Sequence, residues 1–319
     1  MPQIYVGIDL STSDGKTGVC RINWDDETME LDVASRLPVD QVLDDEFTAA
    51  GIDVPFGWPV DFVEATCAWT ARTQPGDDDG SDAGHDGQQA RTGPDNGDLG
   101  GHLAADLFRD GYESAGERLR FRATDRFVRK AMKADAPEKL RSGWPSGLSV
   151  TKDMITGTAL HAMHLLGCRY PDLTVGHPFE TANHPVVEVY PAIALRGWGL
   201  EAPPYKDKEG KAGRRCILEQ LEEVPSLDRL VNDNRIALEK DDNLLDAFVC
   251  ALVARSWHRG HTHLPDDEYV AELMEAHCGQ WFDQDRFLDE VRREGWIAHP
   301  NAQLALALSW SGLPVPARK

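Results

Sequence analysis

Ile4-Tyr5-Val6-Gly7-Ile8-Asp9-Leu10-Ser11 is an apolar run rich in β-branched residues that ends in a carboxylate and a hydroxyl. That composition suits a strand buried on both faces of a sheet. Strand ends are where open α/β sheets present their chemistry. Thr12-Ser13-Asp14-Gly15-Lys16 follows, and then a second apolar run, Thr17-Gly18-Val19-Cys20-Arg21-Ile22. Strand, polar turn and strand read as a hairpin, with Asp14-Gly15 as the turn signal. Asp9 then sits at the mouth of the hairpin, either as a metal ligand or as a hydrogen-bonded cap on the loop.

Working outward, Met29-Glu30-Leu31-Asp32-Val33-Ala34-Ser35 roughly alternates apolar and polar residues and predicts a third, more exposed strand. Residues 38–48 read as a short helix. Ile52-Asp53-Val54-Pro55 is a strand stopped by proline, with a stiff Pro/Gly/Trp loop after it. Asp53 thus repeats the Asp9 pattern, an acid at the end of an apolar strand. It can equally cap the loop.

Residues 74–101 carry almost no apolar side chain and are expected to form a disordered acidic loop insertion. The pattern then turns helical, and residues 118–130 are the most basic part of the chain. Arg122, Arg126, Arg129 and Lys130, with interleaved Phe, can line a phosphate backbone. Alternatively their helix turns its Phe side to the core and its arginines to carboxylates. His161 and His164 lie three apart on a helix over 151–167, but no third ligand accompanies them. The same holds for His258, His261 and His263, so packing or solvent is expected for both groups.

Glu188 interrupts the buried strand Pro185-Val186-Val187-Glu188-Val189-Tyr190-Pro191. A buried carboxylate needs a cation, a metal or a raised pKa. Lys206, Lys208, Lys211, Arg214 and Arg215 form a second basic cluster. Asp241 to Arg255 reads as a strong helix with an acidic N-terminus, where the macrodipole favours carboxylates. At about 100° per residue, Asp242 and Asp246 fall one above the other along one edge of its apolar stripe.

The 319 residues can bury a sizeable core. Lys+Arg is 33 against Asp+Glu at 54, a formal net charge of -21. Such a surface repels polyanions at long range, so loose nucleic-acid binding requires a local basic patch. A salty cytoplasm or a solvated acidic surface explains the excess equally well. The six cysteines form no C-x-x-C pair, and several lie in apolar runs. They are expected to be reduced, buried thiols of a cytoplasmic protein. The chain enters its first strand almost at once, so no secretory leader is expected, and no membrane association either. No internal repeat, Walker A motif, G-x-G-x-x-G after a strand or G-x-S-x-G elbow is present.

Asp9, Asp53, Glu188 and Asp246 share one theme. Converging carboxylates cannot all stay ionised without cations, and hard oxygen ligands favour Mg²⁺ or Mn²⁺. Two such ions about 4 Å apart activate a water and stabilise the leaving oxygen of a phosphodiester.

Seven short motifs in order carry a resemblance: Gly7-Ile8-Asp9-Leu10-Ser11, Gly51-Ile52-Asp53-Val54-Pro55, Arg122-Ala123-Thr124-Asp125, Glu188-Val189-Tyr190-Pro191, Tyr205-Lys206 with its following arginines, Asp242 through Ala254, and Glu294-Gly295-Trp296-Ile297. Together they resemble the predicted RNase H-like nuclease family catalogued as domain of unknown function four-two-nine. The resemblance implies an α/β, ribonuclease H-like fold: a mixed five-stranded sheet with an antiparallel second strand, flanked by helices. One such domain would span residues 1–319, with the disordered insertion at 74–101, a helical insertion at 102–180 and the C-terminal part of the core at 185–300. The fold places acids on its first strand, its fourth strand and its last helix. Asp9, Asp53, and Asp246 with Asp242 fall onto those positions as metal ligands, and Glu188 adds a fourth catalytic candidate. The implied function is a metal-dependent nuclease using Mg²⁺ or Mn²⁺ on nucleic acid. Binding a polyanion beside these acids needs cations, and Arg122, Arg126, Lys130 and Lys206 are the candidate substrate contacts. The alternatives are an actin-like ATPase or phosphotransferase, which lacks its second hairpin and Gly-rich adenosine segment here, and a non-catalytic interaction protein on the same fold.

Overall fold

The computed structural model describes residues 3–73, 118–141, 144–145, 153–170, 186–278 and 282–308. Strand β1 (Ile4–Asp9) pairs antiparallel with β2 (Gly18–Asn23), and β2 with β3 (Thr28–Val33), so the expected hairpin extends into a meander. A short helix, α1 (Val39–Asp44), returns the chain to β4 (Ala49–Asp53), which lies parallel to β1 on its other side. Helix α2 (Val60–Thr73) follows.

The basic stretch forms α3 (Ala123–Arg126), which runs on through a π-helical turn, Phe127–Met132. Next come α4 (Glu138–Arg141) and α5 (Asp153–Arg169). Strand β5 (Val186–Val189) is parallel to β4. It leads into α6 (Pro191–Gly197), α7 (Lys211–Glu222), α8 (Asp228–Lys240) and α9 (Asp242–His258). The chain continues through α10 (Glu268–Cys278), α11 (Gln284–Glu294), β6 (Ile297–Ala298) and α12 (Leu304–Ala307).

The result is a mixed α/β fold around a six-stranded sheet of order β3-β2-β1-β4-β5-β6. Six strands correct the expected five. The extra one has two residues, too few to leave a periodic signal. Gly295, at φ 98°, turns the chain out of α11, and Ile297 and Ala298 then pair with Glu188 and Val189.

Side chains alternate between sheet faces. Tyr5, Ala49, Val187 and Val189 pack in one core with α9. Val6, Ile8, Ala50, Ile52 and Val186 pack in the other with Val42 and Leu43 of α1 and Leu165 and Leu166 of α5. A third cluster joins Phe127, Val128 and Ala131 to Val270, Phe287, Val291 and Trp296.

Helix α9 does not show the one-sided stripe its sequence suggested. Every residue from Leu244 to Trp257 is buried, because α9 touches β1, β2 and β4 on one side and α6 and α8 on the other. A helix apolar nearly all round is a core helix. Asp241 caps its start by accepting from the Asn243 N–H at 3.0 Å.

Two other expectations need correction or restriction. Of the free cysteines described, Cys20 and Cys250 are buried as expected, but Cys67 and Cys168 are exposed. The 74–101 insertion lies outside the described residues, as does much of the 102–180 segment. No helix among the described residues is long and apolar enough to cross a membrane.

Candidate metal centre

Strands β1 and β4 run parallel and in register, so Asp9 and Asp53 stand side by side at their C-terminal ends. Two residues earlier, Gly7 and Gly51 also stand side by side on that face. Neither has room for a side chain. A Cβ on Gly7 would overlap the Ala247 carbonyl, and one on Gly51 the Cys250 carbonyl. The glycines therefore let α9 lie directly on the sheet backbone, which brings Asp246 down to the two strand ends. One carboxylate oxygen from each of Asp9, Asp53 and Asp246 lies within 4.8 Å of the others. Among the described residues this is the one group of three or more potential ligands so placed.

Burial and mutual repulsion both oppose ionisation here. Burial, then Asp246 and Asp53, pushes the Asp9 carboxyl well above the usual range. Burial is also the main cause at Asp53, which is pushed up to about 7 even though Lys206 opposes the shift. Asp246 is wholly buried and likewise raised, against the pull of Lys206 and Tyr205. The Tyr205 hydroxyl donates to Asp246 Oδ1 at 2.9 Å, and the Lys206 ammonium forms an ion pair with Oδ2. Burial works against that ammonium, but Asp246, Asp9 and Asp53 outweigh it and raise its pKa.

The remaining candidates are outside that group of three. Asp242 is one turn ahead of Asp246, and its carboxylate accepts from the Asp207 N–H at 3.2 Å. Glu188 lies beside Ile52 in the sheet register, while Val187 lies beside Gly51. Its side chain therefore projects to the α5 face, away from the three acids. There it receives two bonds from Arg122, 2.8 and 2.5 Å long, and one from the Phe56 N–H at 3.0 Å.

Arg122, 1 % exposed, also binds Asp125 through Nε at 3.0 Å. Two carboxylates and a buried guanidinium thus compensate one another. Arg126 forms an ion pair with Glu290, and Lys130 is exposed further along the same helix. The basic stretch is accordingly a helix with its Phe side in the core and arginines on carboxylates, one of the two readings its sequence allowed. His161 meets the Ser11 carbonyl at 2.9 Å, and His258 meets the Tyr5 hydroxyl at 3.0 Å.

The sequence assigned no role to three residues that shape this region. Tyr205 holds Asp246, and its only signal was its place beside Lys206. Arg214, 1 % exposed, braces the backbone of Tyr205 and Asp207. Glu294 is buried and accepts from the Val60 and Ala123 N–H groups at the starts of α2 and α3.

A family model matches residues 7–270 of the chain, a span that includes Asp9, Asp53, Lys206 and Asp246. The chain belongs to that family, described as Protein of unknown function (DUF429). No curated protein and no solved structure matches it. The donor set of this DUF429 chain fits a hard divalent cation. Three carboxylates from three separate elements converge, they resist ionisation unless a cation is near, and a lysine ammonium is already drawn in among them.

Proposed function

We propose that this DUF429 chain is a metal-dependent nuclease of the RNase H-like type, hydrolysing phosphodiester bonds. The observation that carries the reading is the convergence of Asp9, Asp53 and Asp246 within 4.8 Å at the ends of two adjacent parallel strands and one core helix. The antiparallel second strand, β2 beside β1, agrees with the one the RNase H-like resemblance implies.

In this reading Asp9, Asp53 and Asp246 hold Mg²⁺ or Mn²⁺. The bound cation supplies an activated water and neutralises charge that builds on the phosphate oxygens. Tyr205 fixes the Asp246 carboxylate by donating to one oxygen, while the other carries the Lys206 ammonium. The half-exposed Lys206 offers positive charge to a phosphate at the same mouth. Tyr205 and Lys206 also line an open groove of about 790 Å³, whose walls add Arg196 and Lys139. Glu201, paired with Lys139, and Asp207 also line it, so Arg196 and Lys206 are the cations it offers a phosphodiester chain.

The test is cleavage of labelled single- and double-stranded DNA and RNA with Mg²⁺, with Mn²⁺ and with a chelator. Cleavage is expected only with metal, and Asp9→Asn and Asp246→Asn are each expected to abolish it while substrate binding remains. Full cleavage by Asp246→Asn would overturn the assignment, as would the absence of metal-dependent cleavage of every substrate.

A further inference from the structure

Three carboxylates packed together need a cation, and this chain provides one of its own. The Lys206 side chain is 50 % exposed along its length, yet its ammonium sits on the fully buried Asp246 and is attracted to Asp9 and Asp53 as well.

The loop that presents Lys206 is held in an unusual way. Asp207 has φ 63° and ψ -176°, a region that essentially only glycine adopts. Such a backbone persists only where its surroundings over-determine it. Here Arg214 donates to the Tyr205 carbonyl, to the Asp207 carbonyl at 2.8 Å and to the Glu239 carbonyl at 2.9 Å. The Asp207 N–H is held by Asp242. The Tyr205 backbone lies so close over Gly210 that no side chain fits there. These contacts combine to place one ammonium on one carboxylate.

We propose that Lys206 is a built-in counter-ion of the acid cluster, which a divalent cation must displace from Asp246 in order to bind. The inference rests on the metal-centre reading above. An ammonium and a divalent ion compete for the same carboxylate oxygens, so Lys206 lowers metal affinity. Once displaced, its charge is released toward the groove it shares with Arg196 and Lys139. Metal therefore creates the phosphate contact. By linkage, phosphate in the groove must strengthen metal binding by the same factor.

The experiment titrates Mn²⁺ alone into the full chain, with free Mn²⁺ read by electron paramagnetic resonance, for wild type, Lys206→Met and Asp9→Asn. Lys206→Met is expected to bind Mn²⁺ on the order of tenfold more tightly. In parallel, the Lys206 amine of the unaltered chain is labelled with an acylating reagent and quantified by mass spectrometry. Labelling is expected to rise as Mn²⁺ is added, and this holds as a test even if Lys206→Met does not fold. If Mn²⁺ binds the wild type and is lost in Asp9→Asn, but Lys206→Met binds no more tightly or Lys206 labelling does not rise, the counter-ion role is wrong and the metal centre stands. If neither wild type nor Lys206→Met binds Mn²⁺, both readings fall together.

Discussion

Gly7 lies directly beneath the Ala247 carbonyl of α9, so close that a methyl group on Gly7 would overlap that oxygen. The neighbour of Ala247 is Asp246. Helix-to-sheet distance and acid-to-acid distance are therefore one quantity. Gly7→Ala and Gly51→Ala are each expected to lift α9 off the sheet, at a cost of about 1–3 kcal/mol or more, and to weaken Mn²⁺ binding as Asp246 withdraws. Urea denaturation and metal titration of the same samples check both effects. Wild-type metal affinity in a destabilised Gly7→Ala would uncouple the two.

The acid cluster sets a pH dependence with a definite sign. Asp53 holds its proton up to about pH 7 in the folded chain, against 3.8 for the free side chain. Between those values the folded state binds a proton that the unfolded state has lost, so rising pH removes stability, by at most about 1.4 kcal/mol per unit. Above about pH 7 the loss is complete. In chelator, Asp53→Asn should therefore gain on wild type steadily from pH 4 to pH 7 and then hold a constant advantage. Parallel stability profiles for the two proteins would show that Asp53 titrates normally.

Arg122 and Glu188 form a compensated pair on the opposite sheet face. Arg122→Met leaves Glu188 and Asp125 buried without a cation and is expected to cost about 3–5 kcal/mol. Glu188→Gln keeps the Arg122–Asp125 contact, so it should be milder and leave Mn²⁺ affinity unchanged. Thermal melts and metal titration decide this. Loss of Mn²⁺ binding in Glu188→Gln would return Glu188 to the candidate metal ligands.

The groove beside Lys206 and the basic helix make opposite predictions for nucleic-acid binding. Arg196→Ala should reduce the dependence of log K on log salt by roughly one unit. Arg126→Ala breaks the pair with Glu290, so it should lower stability and leave the salt slope alone. Fluorescence anisotropy of a labelled oligonucleotide across a salt series separates them. A flattened slope in Arg126→Ala would make the basic helix the substrate path.

The parts of this architecture that could be read in advance are those with local causes. β1, β2 and β4 announce themselves as apolar runs with polar ends, and Asp9 and Asp53 are visible as acids where such runs stop. The face a side chain takes is a different matter. Val186-Val187-Glu188-Val189 has no alternation on its apolar residues, so only pairing with β4 decides that Glu188 points away from Asp53. Arg122 meets Glu188 across 66 positions of chain, a contact without any local trace. Asp246 seemed to lie at the edge of a stripe because α9 carries polar residues at its start. Burial by helices on its second side depends on α6 and α8, whose packing no periodicity within α9 records.

The three acids also fix an order of events for a chain made from its N-terminus. Asp9 and Asp53 stand on adjacent strands that both lie within the first 53 residues. The helix that covers them begins at Asp242, so the apolar face of β1 and β4 stays bare until most of the chain has been synthesised. Closing so long a loop is slow, and a bare sheet face is prone to aggregation in the interval. Any product that terminates before α9 carries two of the three acids and leaves the cluster incomplete.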